Sequence, residues 1–263
     1  MKTSHITAKT QRNNKEFFNR FPGKSMGSFK ALRFLRLCGK LLPFILAVPI
    51  LFLGLSGCGS KTVPDWQNNS FKYMEYFKKY FLTGDERKSD LYFTKAVEEI
   101  KKSGKLDVLA KAYLTKCSVR VATLGEINCD EFNVIEGIEG NRKNNNFYTF
   151  LKGNFDNVDG KLLPERYQEF FKSIKTDTIE DLNSEIVTIE NPLSRLIAVG
   201  LSVKHGRYNE STLKAALDVA SAQGWKKALL AYLKEIKSFY NKTREAAKAD
   251  KVQQKFNLIQ NTE

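Results

Sequence analysis

Fifteen uncharged residues at positions 41–55 divide this chain in two. Ahead of them lie ten basic side chains, from Lys2 to Lys40, and a single acid, Glu16. A helix that spans a bilayer needs about 20 apolar residues, and Pro43 and Pro49 weaken a continuous helix further. A basic flank, a short apolar run and small residues after it are the physical signature of a secretory signal. Even left uncleaved, the basic flank stays inside and the rest is exported. Any folded unit must therefore be built mainly from residues beyond position 55. Met26 offers a second start that would shorten the basic flank.

The apolar run closes on Leu55-Ser56-Gly57-Cys58. This sequence resembles the lipobox of bacterial lipoproteins. The resemblance implies that residues 1–57 are removed as a signal peptide and that Cys58 becomes the first residue, carrying covalent lipid. The membrane would then be a partner through that lipid. Gly59 and Ser60 come next, where an aspartate retains many lipoproteins at the inner membrane. The resemblance thus implies the outer membrane, with the chain facing the periplasm.

This division changes the charge argument. The whole chain carries +14, but ten of its 43 bases and one of its 29 acids precede position 58. The remainder holds 33 bases against 28 acids, an ordinary surface. A nucleic-acid partner is therefore not expected. The cysteines also sort by position. Cys38 leaves with the signal, and Cys117 and Cys129 stand 12 apart in a chain bound for an oxidising compartment. They read either as a disulfide or as two buried thiols packed as small hydrophobes. No Cys-x-x-Cys is present, which disfavours a thioredoxin-type site.

From Phe71 onward the apolar period is helical. Phe71, Met74, Phe77 and Phe81 form one stripe, ended by Gly84. A second helix is expected from Ser89-Asp90 to Gly104, and a third from Leu106 to Gly125. Residues 126–165 are less regular, because Gly137, Gly140 and Asn144-Asn145-Asn146 interrupt the period. Short helices are expected near 130–136 and 146–152, then at 166–174 and 179–185. The segment Ile186-Val187-Thr188-Ile189 reads as a helix end or loop. Asn191-Pro192 opens a clear helix, with an N-cap side chain and proline where the missing N–H costs nothing. Gly206 closes it, and Gly224 closes the next. Trp225 opens a longer helix with Leu229, Tyr232, Leu233, Ile236 and Tyr240 on one face. The expected organisation is a polar tether at 58–67, an all-α domain of helical hairpins at 68–248 with a break near 126–165, and a polar tail at 249–263.

The stretch Ala198-Val199-Gly200, Gly206-Arg207-Tyr208, Ala215-Ala216 and Ala220-Ser221-Ala222 looks like tetratricopeptide-type helical repeats. The spacing departs by one at Tyr208, and the repeat-ending proline is absent. The resemblance implies a binding scaffold rather than a catalyst.

Chemistry-bearing residues are sparse. His205 is the one histidine after position 58, which argues against multi-histidine zinc sites; in a last helical turn it suits the dipole. Asn157, Asp159, Gly160 and Leu162 fall at positions 3, 5, 6 and 8 of an EF-hand calcium loop. Phe155 and Arg166 stand where the first ligand and the bidentate glutamate belong, so a polar turn is the better reading. Glu210-Ser211 is similar to the Glu-Ser pair of lytic transglycosylases, without their downstream Gly-Leu-Met-Gln element. The aromatic cluster from Phe71 to Phe93 exceeds what one helix face can bury; it reads as core, or as an exposed partner-binding patch. The expectation is an envelope scaffold or assembly factor for other envelope proteins. No catalytic residue, metal or cofactor beyond the lipid on Cys58 is expected. The alternative is a peptidoglycan-active lipoprotein enzyme acting through Glu210.

Overall fold

Apolar side chains three and four residues apart can be buried together only on one side of a helix, and the chain builds its fold from such stripes. The computed structural model describes residues 63–176 and 178–261. The signal segment, Leu55, Ser56, Gly57 and Cys58 lie outside the described residues. Among the described residues there are eleven α-helices, three short 3-10 turns and no strand. The fold is all-α.

The helices are α1 (Asp65–Thr83), α2 (Glu86–Lys101), α3 (Leu106–Ala122), α4 (Asp130–Ile138) and α5 (Arg142–Leu151), then α6 (Gln168–Thr176), α7 (Ile179–Thr188) and α8 (Pro192–Lys204), and finally α9 (Glu210–Gln223), α10 (Lys226–Lys242) and α11 (Ala246–Gln260). The 3-10 turns lie between α5 and α6.

Two helices form the centre. In α3, Leu109, Ala112, Leu114, Cys117, Val119 and Val121 are buried at positions around most of the helix, so it has neighbours on several sides. It packs on α1, α2, α4, α5 and α8. In α8, Leu196, Ile197, Ala198, Val199 and Leu201 are buried in the same way. Each such aliphatic side chain contributes about 1.5–3 kcal/mol when removed from water. The two helices meet at Gly200, where a Cβ would overlap the backbone carbonyl of Val121. Helix α1 also packs on α10, with Lys227 Nζ 4.1 Å from the centre of the Phe81 ring. In a stack of repeats each unit touches only its neighbours. The α3–α8 and α1–α10 contacts instead join helices far apart in sequence.

Several boundaries differ from the expectation, each for a local reason. Helix α2 starts at Glu86 rather than near Ser89, because Asp85 caps it by accepting a hydrogen bond from the Lys88 N–H at 3.0 Å. Asn144-Asn145-Asn146 do not interrupt a helix but lie within α5. Asn141 caps it, accepting from Lys143 and Asn144 N–H groups at 3.0 and 3.2 Å. At the end of α3 the left-handed residue is Leu124, φ 55°, one before the glycine expected there. The tether and tail boundaries at 67 and 248 both fall inside helices, since α1 begins at Asp65 and α11 runs to Gln260. Helix α11 docks on α10 and buries little beyond Ala249.

Candidate functional site

The α1–α2 hairpin sorts its aromatic residues by polarity. Its tight turn needs Gly84 at φ 97°, with the Gly84 and Asp85 N–H groups donating to the Phe81 and Tyr80 carbonyls at 3.2 and 2.9 Å. The two helices are thereby antiparallel neighbours. Phe77 and Phe93 turn inward, their ring centres 4.9 Å apart in the core. The tyrosines turn outward, because a phenol can keep its hydroxyl wet while its ring packs. Tyr92 of α2 is the hub of this outer layer. It lies 6.1 Å from Tyr73, 4.9 Å from Tyr76 and 5.4 Å from Tyr80, stacked on the last. All four are half-buried.

Lysines frame these rings. Lys72 and Lys79 of α1, and Lys88 and Lys95 of α2, are spaced seven apart on each helix, which returns them to one face after two turns. Lys72 lies over Tyr76, Lys79 and Lys88 over Tyr80, and Lys95 over both Tyr73 and Tyr92, at 5.2 to 5.9 Å. Exposed contacts of this kind contribute about 0.5–1 kcal/mol each. Among the described residues, Lys72, Lys79 and Lys95 pair with tyrosine rings and with no carboxylate. Asp85 on this side is paired to Lys88 at 2.8 Å, and Glu99 to Lys102 at 2.6 Å. The result is an exposed, basic and aromatic face. The aromatic cluster was apparent from the sequence. Its lysines were not, although their seven-residue spacing is the signal that finds them.

The other residues singled out from the sequence lie apart from this face. Cys117 on α3 and Cys129 at the start of α4 come together as a disulfide, their Cα atoms 6.2 Å apart and both residues buried. His205 ends α8, its ring edge-on to Phe155 at 4.9 Å. The Asn157–Leu162 segment is a pair of 3-10 turns clamped by Asn146. The Asn146 amide donates to the Asp159 carbonyl at 2.9 Å and accepts from the Asp159 N–H at 2.7 Å. The Asp159 carboxylate accepts from the Lys161 N–H at 3.0 Å. These are the hydrogen bonds of a structural turn.

Glu210 opens α9 and ties it to its neighbours. It pairs with Lys214 at 2.6 Å and Lys248 at 3.1 Å, and accepts from the Tyr240 hydroxyl at 2.9 Å. Lys214 above all, then Tyr240 and Lys248, hold its carboxyl down at about 2. A carboxyl that donates a proton to a glycosidic oxygen needs the opposite shift. Two shallow grooves border α10. One of about 360 Å³ lies against α11 and includes Leu233, Lys237, Gln253 and Phe256. The other, about 480 Å³, includes Leu124, Lys227, Leu230 and Glu235. Glu235 is engaged by the Tyr208 hydroxyl at 2.8 Å; burial and this carboxylate push the Tyr208 phenol up to about 12. Among the described residues, no three His, Cys, Asp or Glu side chains are grouped to hold a metal. No described helix is long and apolar enough to cross a membrane.

Comparison with protein-family models, with curated proteins and with solved structures finds no match to this chain.

Proposed function

We propose that this chain is a lipid-anchored envelope protein whose helical unit serves as an interaction scaffold or assembly factor for other envelope proteins. In this reading Cys58 carries the lipid, and the unit faces the periplasm from the outer membrane. The observation that carries it is the junction at Leu55-Ser56-Gly57-Cys58. A basic flank and a short apolar run precede it, and α1 begins only seven residues beyond Cys58, at Asp65. The rival reading, murein cleavage through Glu210, is disfavoured by the three donors that keep that carboxylate ionised.

Replacing Cys58 with Ala tests the anchor. The chain should then accumulate at precursor size and move from the detergent phase to the aqueous phase on partitioning. No change in either would contradict the lipoprotein reading. Crosslinking in intact envelopes should recover discrete protein partners. Clearing on a peptidoglycan zymogram that disappears in Glu210→Ala would instead favour the enzyme.

A further inference from the structure

Resting on the lipoprotein reading above, we propose that the tyrosine–lysine face of α1–α2 lies against an anionic phospholipid surface, the bilayer to which Cys58 would hold the chain.

The argument begins with reach. A residue spans at most about 3.6 Å, so the seven steps from Cys58 to Asp65 cover no more than about 25 Å. A lipid on Cys58 therefore keeps the first turn of α1 close to the headgroups, and α1–α2 is the hairpin nearest the anchor. A surface held there meets phosphates at high local concentration.

The chemistry of the face suits that neighbour. Phenol rings with wet hydroxyls are the amphipathic groups that settle at a membrane interface, and Tyr73, Tyr76, Tyr80 and Tyr92 form one such layer. Lysine stems lie along apolar surface while their ammonium groups reach outward. Lys72, Lys79, Lys88, Lys95 and Lys102 are all exposed here. The carboxylates of Asp85 and Glu99 on this side are already occupied by Lys88 and Lys102. Glu98 stands exposed one turn along from Lys95 and acts on Lys102, but Lys72, Lys79 and Lys95 outnumber it and leave the face net positive, and clusters of this kind are drawn to anionic lipid within a Debye length. The ring contacts, about 0.5–1 kcal/mol each, bias the ammonium groups towards one layer. Leu91, 49% exposed on the same helix as Tyr92, is an apolar side chain at its margin.

The test uses the lipidated full chain in vesicles, with a fluorophore on Leu91→Cys and, separately, on Ile138→Cys as a control on α4. Ile138 is 70% exposed. Vesicles are neutral phosphatidylcholine, or the same lipid with phosphatidylglycerol. On phosphatidylglycerol vesicles the label at 91 should be shielded from a water-soluble quencher and quenched by a headgroup nitroxide, while the label at 138 should be neither. Combined Lys72→Glu, Lys79→Glu and Lys95→Glu should abolish the shielding without releasing the protein, and high salt should do the same in the unaltered chain. Equal quenching at 91 and 138 on vesicle-bound protein would overturn the membrane face while leaving the anchor intact. Shielding that is the same on neutral vesicles would overturn the role of the lysines. A chain that leaves the vesicles altogether would overturn the anchor and, with it, this inference. Circular dichroism of the triple variant separates loss of docking from loss of fold, and the salt titration needs no variant.

Discussion

Gly200 shows how much of the packing rests on one missing methyl group. Its neighbour across the α3–α8 crossing is the Val121 carbonyl, and a Cβ has no room there without backbone movement. Overpacking of this kind costs about 1–3 kcal/mol. Gly200→Ala should lower stability by about 2 kcal/mol, a fall of about 4–8 °C in Tm for a chain of this size. An unchanged thermal midpoint by circular dichroism would mean the crossing is looser than described. Glu210 gives a pH signature at the same scale. Its folded-state pKa, about 2, lies below the ordinary 4.5, so its contribution is present above about pH 4.5 and is lost as pH falls towards 2. Glu210→Gln should be less stable than the parent at neutral pH, and the gap should close at low pH. The cluster is solvent-exposed, so the effect should be small and should shrink in salt. A gap that widens on acidification would contradict this assignment.

The elements differ in how openly the sequence declares them, and the reason lies in where their side chains find partners. Helices α1, α3, α8 and α10 carry apolar residues at helical spacing, and their turns carry Gly84, Gly104, Gly206 and Gly224 at positive φ. Both signals are local, so both are legible. Helix α5 is legible only in its second half, the expected helix near 146–152; its start at Arg142 is hidden, because asparagines usually favour turns through local hydrogen bonds. Here they bond at long range instead. The Asn144 amide donates to Asp107, 37 positions earlier, and Asn146 clamps Asp159, 13 positions later. The tyrosine–lysine face is intermediate: its rings stand out by composition, whereas its lysines gain meaning only once α1 and α2 lie side by side. The Cys117–Cys129 link joins α3 to α4 at the start of the weakest-patterned part of the chain. A loop of this length is expected to contribute about 3 kcal/mol when closed. Reduction should therefore lower the urea midpoint, and Cys117→Ser with Cys129→Ser should reproduce the loss without reductant. A midpoint indifferent to reductant would show that the two behave as packed thiols.

At the scale of the whole molecule, net charge is spread unevenly along the chain. Most of the +14 belongs to the segment before Cys58, while the first hairpin after it presents Lys72, Lys79 and Lys95 without carboxylate partners among the described residues. An all-α unit was foreseeable from apolar period alone, but the pairing of α1 with α10 and α3 with α8 was not, because no local pattern encodes contacts between segments so far apart. The function reading rests on Leu55-Ser56-Gly57-Cys58 more than on any feature of the helices. Mass spectrometry of the N-terminal peptide, taken from protein extracted from membranes, tests it most directly. The account predicts a chain that starts at Cys58, with a diacylglyceryl group on its sulfur. A chain that retains residues before Cys58, or one that starts elsewhere with the Cys58 thiol unmodified, would contradict it.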